Sequence, residues 1–420
     1  MSNIGSINFA SNNYNLPSVN AERSHVNTPQ QENVAVGDSV SLNSGSDSIE
    51  KTKKKWTVLL YSAADNNLET ALVKDVAELE SVGSSNEMNL VAQLDRGERP
   101  SSLSGGWDGC KRFYLTKDDD RSTINSPALA DLGQVNMSDP KVLSDFIQWG
   151  MKEFPAENYI LIMSDHGAGW PGALQDISHN DFASTPSLKD GIMDAEKKTG
   201  QKINIIGFDA CLMASTEVAH ELSNAGDFLV ASQNTEGGDG WPYSKIFSDK
   251  VASKMQQALS SKLDVDPREV AKAMVNESEG FPSISTLAAM DLAKMPELTK
   301  ASDKFAQTMM NSGLTADDKA EIKKLINQTK SWYGFKDQYQ FAEKLVNDPA
   351  IKNDDLKAAA KEMMASINNV IIAEQHSSAH NGAHGLSIEM NNAQVSKPTY
   401  GDLQFAKDTK WDEAIKWLNK

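Results

Sequence analysis

Short apolar runs alternate with longer amphipathic stretches from Trp56 to about Phe247. This order is typical of βαβ units, in which helices cover both faces of a parallel sheet. The apolar runs predict strands over 56–63, 89–94, 110–116, 158–164, 203–208 and 228–232. The amphipathic stretches predict helices over 67–82, 139–153, 186–199 and 214–224. We therefore predict an α/β fold with a mostly parallel sheet flanked by helices.

Several predicted helices have recognisable first turns. Asn66 or Asn67 is a candidate cap for the first helix, and Ser138-Asp-Pro140 is expected to open the second. After Phe247 the pattern becomes mainly helical. Helices are predicted over 266–278, 293–311, 315–330, 338–346 and 353–368, with short apolar runs at 284–289 and 385–388.

The first 50 residues have a different composition from the rest. They contain ten Ser, nine Asn and no Lys, and such a segment buries too little apolar surface to offset the entropy of ordering it. A basic run, Lys51 and Lys53 to Lys55, then leads into the first strand. We divide the chain into a flexible polar leader (1–52), an α/β domain (53–285) and a mainly helical region (286–420).

Charge and cysteine content exclude several classes of function. The 41 Lys and Arg against 58 Asp and Glu give a net charge of −17, which disfavours binding to nucleic acid and to anionic membranes. The sequence contains neither a secretory signal nor an apolar run of the roughly 18 residues that span a bilayer. Cys110 and Cys211 are the only cysteines, so no disulfide framework is expected.

Two predicted strands are followed by residues that carry chemistry. His166 follows the strand that ends at Ser164, and Cys211 follows the strand that ends at Phe208. If one helix connects these strands, they are neighbours about 5 Å apart, and functional groups gather beyond the carboxyl ends of parallel strands. A thiol beside an imidazole is the pair needed for nucleophilic catalysis.

Backbone groups near this pair are expected to assist. Cys211 directly precedes the predicted helix 214–224, whose first amides would favour a thiolate and bind an oxyanion. Gly167 has no side chain, so a carbonyl oxygen can approach its N–H closely. Considered separately, Cys211 also fits a buried small hydrophobe and His166 a hydrogen-bonded surface group.

Four segments of the chain resemble the clostripain family of bacterial cysteine peptidases. They occur in the order and at about the spacing found in that family: Trp56-Thr-Val-Leu-Leu-Tyr-Ser-Ala-Ala-Asp-Asn-Asn-Leu68, Asp165-His-Gly-Ala-Gly-Trp170, Gly207-Phe-Asp-Ala-Cys-Leu-Met-Ala214 and Gly237-Gly-Asp-Gly-Trp-Pro-Tyr243. The resemblance covers about residues 54 to 250, with a weaker match at His384-Gly-Leu-Ser-Ile388.

The resemblance implies a caspase-like catalytic domain over 53–285. It implies that His166 and Cys211 form the catalytic dyad, that the N–H groups of Gly167 and Cys211 hold the oxyanion, and that cleavage follows Arg or Lys. The carboxylates of the pocket for that basic side chain would be Asp209 and Asp239. A buried cation needs a paired charge, although these residues also fit a helix cap and a Gly-rich turn.

Other polar residues receive structural interpretations. Asp165 should point away from His166 and serve a turn or face solvent, and His179 and His220 are interpreted as structural or exposed. The histidines His376, His380 and His384 lie in a stretch rich in Ser, Asn and Gly, which favours a loop over a metal site. No metal site is assigned. We expect no required cofactor, with calcium at scattered carboxylates such as Asp118-Asp-Asp120 as the open alternative.

These observations predict a cysteine endopeptidase that acts on proteins or peptides with Arg or Lys at the cleaved bond. The alternatives are an inactive caspase-like module that binds basic peptides and an acyl transferase that uses the same dyad. Residues 167–188 contain no Lys or Arg, so self-cleavage is expected at 51–55 rather than between His166 and Cys211. Export by a route without a Sec signal is favoured over a cytoplasmic location, and the oligomeric state is left open.

Overall fold

A computed structural model describes residues 52–247 and 266–420, so the predicted leader lies outside the described residues except for Thr52. The strands are β1 (Lys54–Ala64), β2 (Met88–Arg96), β3 (Gly109–Tyr114), β4 (Ala128–Gly133), β5 (Ala156–Ser164), β6 (Ala173–Asp176), β7 (Asp181–Ala183), β8 (Ile205–Asp209), β9 (Phe228–Ala231), β10 (Thr286–Asp291), β11 (Ser331–Trp332), β12 (Phe335–Asp337), β13 (Ile371–His376) and β14 (Ser387–Glu389).

The described helices are numbered in chain order. They are α1 (Glu69–Glu80), α2 (Pro140–Glu153), α3 (Thr185–Thr199), α4 (Thr216–Glu221), α5 (Tyr243–Ile246), α6 (Pro267–Glu277), α7 (Met295–Asn311), α8 (Ala316–Gln328), α9 (Gln338–Asn347), α10 (Asp354–Val370), α11 (Asn392–Val395), α12 (Pro398–Gly401), α13 (Gln404–Asp408) and α14 (Trp411–Leu418).

Nine strands form the main sheet in the order β13-β10-β9-β8-β5-β1-β2-β3-β4. The five central strands, from β9 to β2, are parallel, and the strands at both edges pair antiparallel. All residues of β2 and β8 are buried, as expected for strands covered on both faces. The predicted α/β fold with a parallel core flanked by helices is confirmed.

The first turns of the helices follow the sequence only in part. Asp139 accepts a hydrogen bond from Lys141 N at 2.8 Å, with Pro140 in the first position of α2, as predicted. The capping prediction for α1 is wrong, because no side chain caps this helix. Asn66 Oδ1 accepts from Leu68 N at 2.9 Å just before the helix. The Asn66 Nδ2 group and the Asn67 side chain contact residues that follow β5, as described below.

The region after residue 285 completes the main sheet. Its strand β10 pairs with β9 and with β13, and the described residues belong to one compact unit. The division drawn at 285/286 from the sequence therefore separates parts of one sheet. The mainly helical character predicted for this region holds for α7 to α10, which account for most of residues 295–370. None of the helices among the described residues is long and apolar enough to cross a membrane.

Candidate active site

The ends of β5 and β8 lie side by side at the centre of the sheet. The two strands pair in parallel register up to Ser164 and Asp209, and Asp165 N donates to Asp209 O at 3.3 Å just beyond them. His166 and Cys211 each follow two residues after this last pair. The predicted adjacency of these two strand ends is confirmed.

Gly167 lies directly against the backbone of Cys211. A Cβ atom placed on Gly167 would be 2.3 Å from Cys211 O and 3.1 Å from Cys211 N. No side chain fits between the two segments, so glycine is required by a close backbone approach. Among the described residues, neither the Gly167 N–H nor the Cys211 N–H donates to a backbone carbonyl. No backbone acceptor therefore competes with a substrate carbonyl for these two N–H groups.

Cys211 lies in a turn and does not directly precede a helix. The helix α4 begins at Thr216, and Ser215 caps it. The prediction that the first helical amides stabilise the Cys211 thiolate and an oxyanion is therefore wrong. The thiol is half-buried and accepts from Glu236 N at 3.4 Å. Burial raises the pKa of Cys211 to about 11, and the Glu236 and Asp209 carboxylates contribute to the rise. The resting sulfur is therefore a neutral thiol.

Asn67, which follows the end of β1, contacts His166. The Nε2 atom of His166 lies 2.9 Å from Asn67 Oδ1, and because an amide oxygen only accepts, Nε2 carries the proton. The neutral ring then leaves Nδ1 as its acceptor. Burial lowers the pKa of His166, so the imidazole is neutral as well. Sequence reasoning missed Asn67 as a partner of His166, since it was interpreted only as a helix cap.

Asp165 is buried, so its predicted exposure to solvent is wrong, whereas its predicted role in a turn agrees with its contacts. Its carboxylate accepts from Asn66 Nδ2 at 2.7 Å and from Gln175 N. Asn66 Nδ2 also donates to the Gln175 carbonyl at 3.0 Å. Asp165 therefore connects the end of β1 to the β6 segment and holds the loop that carries His166.

Asp209 lies in a buried group of carboxylates behind the Cys211 turn. One of its oxygens accepts from Tyr243 Oη at 2.8 Å and from Trp241 N at 3.1 Å. Burial raises the pKa of both Asp209 and Glu236, and the charge of Asp209 raises the pKa of Glu236 further.

Asp75, on α1, belongs to the same group of carboxylates. A Cβ on Gly240 would be 2.7 Å from Asp75 Oδ2 and 3.0 Å from Asp209 Oδ2, so the two oxygens flank one small space. Asp75 is 4% exposed and Oδ2 has no hydrogen-bond partner. Burial, reinforced by Asp209, raises the pKa of Asp75. Its helical position gave no sequence signal for a role at this site.

Asp239 differs from Asp209 in its surroundings. Its side chain is exposed, and its charge raises the pKa of Asp75. Trp241, two residues later, is fully buried and donates from Nε1 to both Glu236 oxygens at 3.2 Å. The Gly-rich segment therefore places one exposed carboxylate at the edge of the buried group.

The weakly matching segment at 384–388 packs against the chain that follows Cys211. Ser387 N and Oγ donate to Ala214 O at 3.0 and 3.1 Å, and Gly385 N donates to Gln233 Oε1 at 2.9 Å. The region after residue 285 thus supports the Cys211 turn from behind.

The remaining candidates lie away from this centre or pair elsewhere. Cys110 is fully buried in β3. His384 Nδ1 lies 3.1 Å from Asp337 Oδ1, and His376 Nδ1 lies 2.8 Å from Glu374 Oε1. The Asp118–Asp120 run is largely exposed, and within the described parts of the chain it belongs to no group of three metal-ligand side chains.

The fold places a thiol and an imidazole at neighbouring ends of parallel strands, and cysteine peptidases use this pair of groups. The family model for the clostripain family (Peptidase C11) matches residues 60–418. Clostripain of Hathewaya histolytica is 27% identical over 416 residues, covering 84% of this chain and 78% of that protein.

Solved structures with similar folds belong to the same group. A secreted C11 cysteine protease of Bacteroides thetaiotaomicron, iotapain, superposes with a TM-score of 0.60 at 17% identity, over 87% of this chain and 99% of that one. An inactive zymogen C11 protease of Parabacteroides distasonis gives 0.59 at 20% identity, over 86% and 99%. These likenesses support the fold.

The chain belongs to the clostripain family, as the resemblance implied. It is a cysteine endopeptidase that acts on protein or peptide substrates.

Proposed function

We propose that this endopeptidase cleaves after Arg or Lys and that Cys211 and His166 are its catalytic dyad. The observation that carries the proposal is the placement of Cys211 between His166 and a buried group of carboxylates. A substrate bound with its carbonyl at the thiol can extend a basic side chain toward Asp209, two residues before the nucleophile.

The reaction begins from an uncharged pair. The raised pKa of Cys211 and the lowered pKa of His166 both favour thiol and neutral imidazole. The thiol proton passes to His166 Nδ1 as sulfur attacks, while Asn67 holds the Nε2–H. The Gly167 and Cys211 N–H groups then donate to the tetrahedral oxyanion.

The second half of the reaction returns the enzyme to its starting state. The imidazolium gives its proton to the leaving amine, which leaves an acyl group on Cys211 as a thioester. His166 then takes a proton from water as the hydroxide attacks the thioester carbon. The C–S bond breaks, the acid product departs, and His166 returns the proton to the sulfur of Cys211. This chemistry needs no cofactor.

The specificity proposal depends on unbalanced buried charge. Asp75, Asp209 and Glu236 pair with no Lys or Arg in the described part of the chain, and burial raises the pKa of all three. Burial therefore disfavours the charged carboxylates in the free enzyme. A guanidinium or ammonium supplies the missing paired cation, which a neutral substrate side chain cannot do.

Four variants test the dyad and the pocket separately. Cys211→Ala should abolish hydrolysis of an Arg peptide, and Cys110→Ala should leave it nearly unchanged. Asp209→Asn should lower kcat/KM for Arg peptides, because the activation free energy rises by ~2 kcal/mol or more. Cys211 should still react with iodoacetamide in this variant. Retained activity in Cys211→Ala, or normal Arg cleavage in both Asp209→Asn and Asp239→Asn, would show that the residues are misassigned.

We also propose that the enzyme is bacterial and acts after export. The iotapain structure is described as a secreted protease, and an acidic protease that cuts at basic residues would damage proteins inside its own cell. Fractionation of the producing cells tests this proposal. Enzyme confined to the cytoplasm during growth would contradict export.

A further inference from the structure

A two-residue turn joins β11 to β12 and exposes an aromatic side chain. Trp332 pairs with Phe335, so Tyr333 and Gly334 form the tip of this hairpin. Both tip residues have a positive φ, 49° for Tyr333 and 103° for Gly334, and Tyr333 is 56% exposed. Asn or Gly suits such a turn, whereas a bulky residue is strained there. The stability of the turn therefore gives no reason for a tyrosine at its tip.

The base of the hairpin packs against the loop that carries His166. Gly169, three residues after His166, has a φ of 73°. A Cβ atom on Gly169 would be 2.9 and 3.1 Å from the two Cε atoms of Phe335, so the ring lies directly on the loop. Phe335 is buried and pairs with Glu389 of β14, whose side chain accepts from Trp170 Nε1 at 3.2 Å. The hairpin is therefore held in place beside the His166 loop.

The same hairpin is connected to the Cys211 turn. The strands β11, β12 and β14 form one small sheet, and Ser387 of β14 donates to Ala214 O, three residues after Cys211. The segments that follow both proposed catalytic residues are thus joined to this sheet. Tyr333 lies at its hairpin turn, where a Cβ on Gly334 would meet no atom of the described residues within 4 Å. The tip is open to a ligand.

The proposed reaction places different parts of the substrate on the two sides of the thiol. Cys211 lies between His166 and the carboxylates around Asp209, and the basic side chain before the cleaved bond extends toward those carboxylates. The leaving amine receives its proton from His166. The residues after the cleaved bond therefore leave the site past the His166 loop, against which the hairpin packs. This assignment of sides rests on the proposed function.

We propose that Tyr333 binds the substrate segment after the cleaved bond and favours an apolar or aromatic side chain among its first two residues. A tyrosine ring has broad apolar faces that pack on Leu, Met or Phe side chains and release water. The ring has only two side-chain torsions, and the hairpin is anchored through Phe335, so little conformational entropy is lost when a peptide packs on it.

The test measures kcat/KM for three substrates with the same acyl part ending in Arg. One peptide continues with Phe-Leu, one continues with Gly-Gly, and the Arg methyl ester has no residue after the cleaved bond. The parent enzyme should cleave the Phe-Leu peptide about fivefold more efficiently than the Gly-Gly peptide, or better. Tyr333→Asn should remove this preference and leave ester cleavage within twofold of the parent.

The choice of variants separates binding from folding. Asn adopts a positive φ more readily than Tyr, so Tyr333→Asn should have a Tm at least equal to that of the parent. Tyr333→Phe keeps the ring and should keep the preference; its loss would contradict packing on the ring. Met193→Ala is the matched control, since Met193 is a 40% exposed apolar side chain on α3. It should change none of the three rates, and an altered preference would contradict the assignment to Tyr333.

Three further results would overturn the role of Tyr333. The first is equal cleavage of the Phe-Leu and Gly-Gly peptides by the parent enzyme, and the second is a preference that survives Tyr333→Asn. The third is an equal loss on the ester and on both peptides, which would place the effect of the substitution in the dyad or the fold. A parent enzyme that cleaves none of the Arg substrates, the ester included, would instead refute the proposed function, so the two failures are distinguishable.

Discussion

Replacing Gly167 with alanine tests whether the His166 and Cys211 segments are as close as the structure shows. The new Cβ would lie 2.3 Å from Cys211 O, about 1 Å inside ordinary van der Waals contact. The opposing atoms belong to backbone, so no flexible side chain can move away. The two segments must therefore separate by about 1 Å.

A displacement of that size has a calculable effect on the reaction. A misplacement of about 1 Å between reacting groups costs on the order of 10²-fold in rate, which corresponds to about 2.7 kcal/mol in the barrier. Overpacking should also lower the free energy of unfolding by about 1–3 kcal/mol. Because Gly167 N–H is a proposed oxyanion donor, kcat should fall more than KM rises.

The assay compares kcat and KM for an Arg peptide, with active enzyme counted by titration of the reactive thiol. Gly401→Ala is the control, since a Cβ there meets nothing within 4 Å, and it should keep full activity. If the kcat/KM of the Gly167→Ala protein stays within twofold of the parent value, the close packing of the two segments is refuted. A variant that does not fold would be recognised by its Tm and excluded from the rate comparison.

Three further predictions concern the pocket, the thiol and the N-terminus. Asp75→Asn should lower kcat/KM for Arg peptides at least tenfold while iodoacetamide still labels Cys211; unchanged Arg cleavage would exclude Asp75 from the pocket. In a Cys110→Ala background, alkylation of Cys211 should accelerate about tenfold per pH unit from pH 7 to 9.5, because a pKa of about 11 keeps the thiol protonated; a rate independent of pH would indicate a resting ion pair. N-terminal sequencing of incubated enzyme should find either the intact chain or cleavage after Lys51 or Lys53, because the next two lysines belong to β1. A new terminus between residues 168 and 203 would contradict this prediction.

Local signals in the sequence were enough to predict the sheet centre and the adjacency of the strand ends that carry His166 and Cys211. The apolar runs that became β5 and β8 are short and bounded by chemically distinctive segments, and consecutive strands joined by a helix usually pair. The sequence pattern therefore predicts that His166 and Cys211 lie at one edge of the sheet. The identity of the family followed from the same segments.

Contacts between distant segments were not predictable in the same way. Asn67 contacts His166 across 99 residues, and Asp75 meets Asp209 although its own helix has an ordinary amphipathic pattern. The support of Ala214 by Ser387 spans 173 residues. Such contacts depend on strand order and side-chain packing, which periodicity in one sequence does not contain.

The missed position of the helix after Cys211 has a local cause. The apolar segment Leu212-Met213-Ala214 fits a helix by composition, but Leu212 adopts a φ of 69° and Ser215 supplies the cap. The helix therefore starts at Thr216, and the pKa of Cys211 is governed by burial and nearby carboxylates instead of helical amides. A sequence pattern identifies a helix more reliably than its first residue.

The central claim, cleavage after a basic residue by Cys211, is tested most directly with paired peptides that differ only by Arg or citrulline at one position. Citrulline keeps the shape of Arg and removes its charge. Mass spectrometry of the products should show cleavage after Arg, at least ~30-fold slower cleavage after citrulline, as a loss of ~2 kcal/mol implies, and no cleavage by the Cys211→Ala protein. Equal cleavage of the two peptides, or cleavage by Cys211→Ala, would contradict the account.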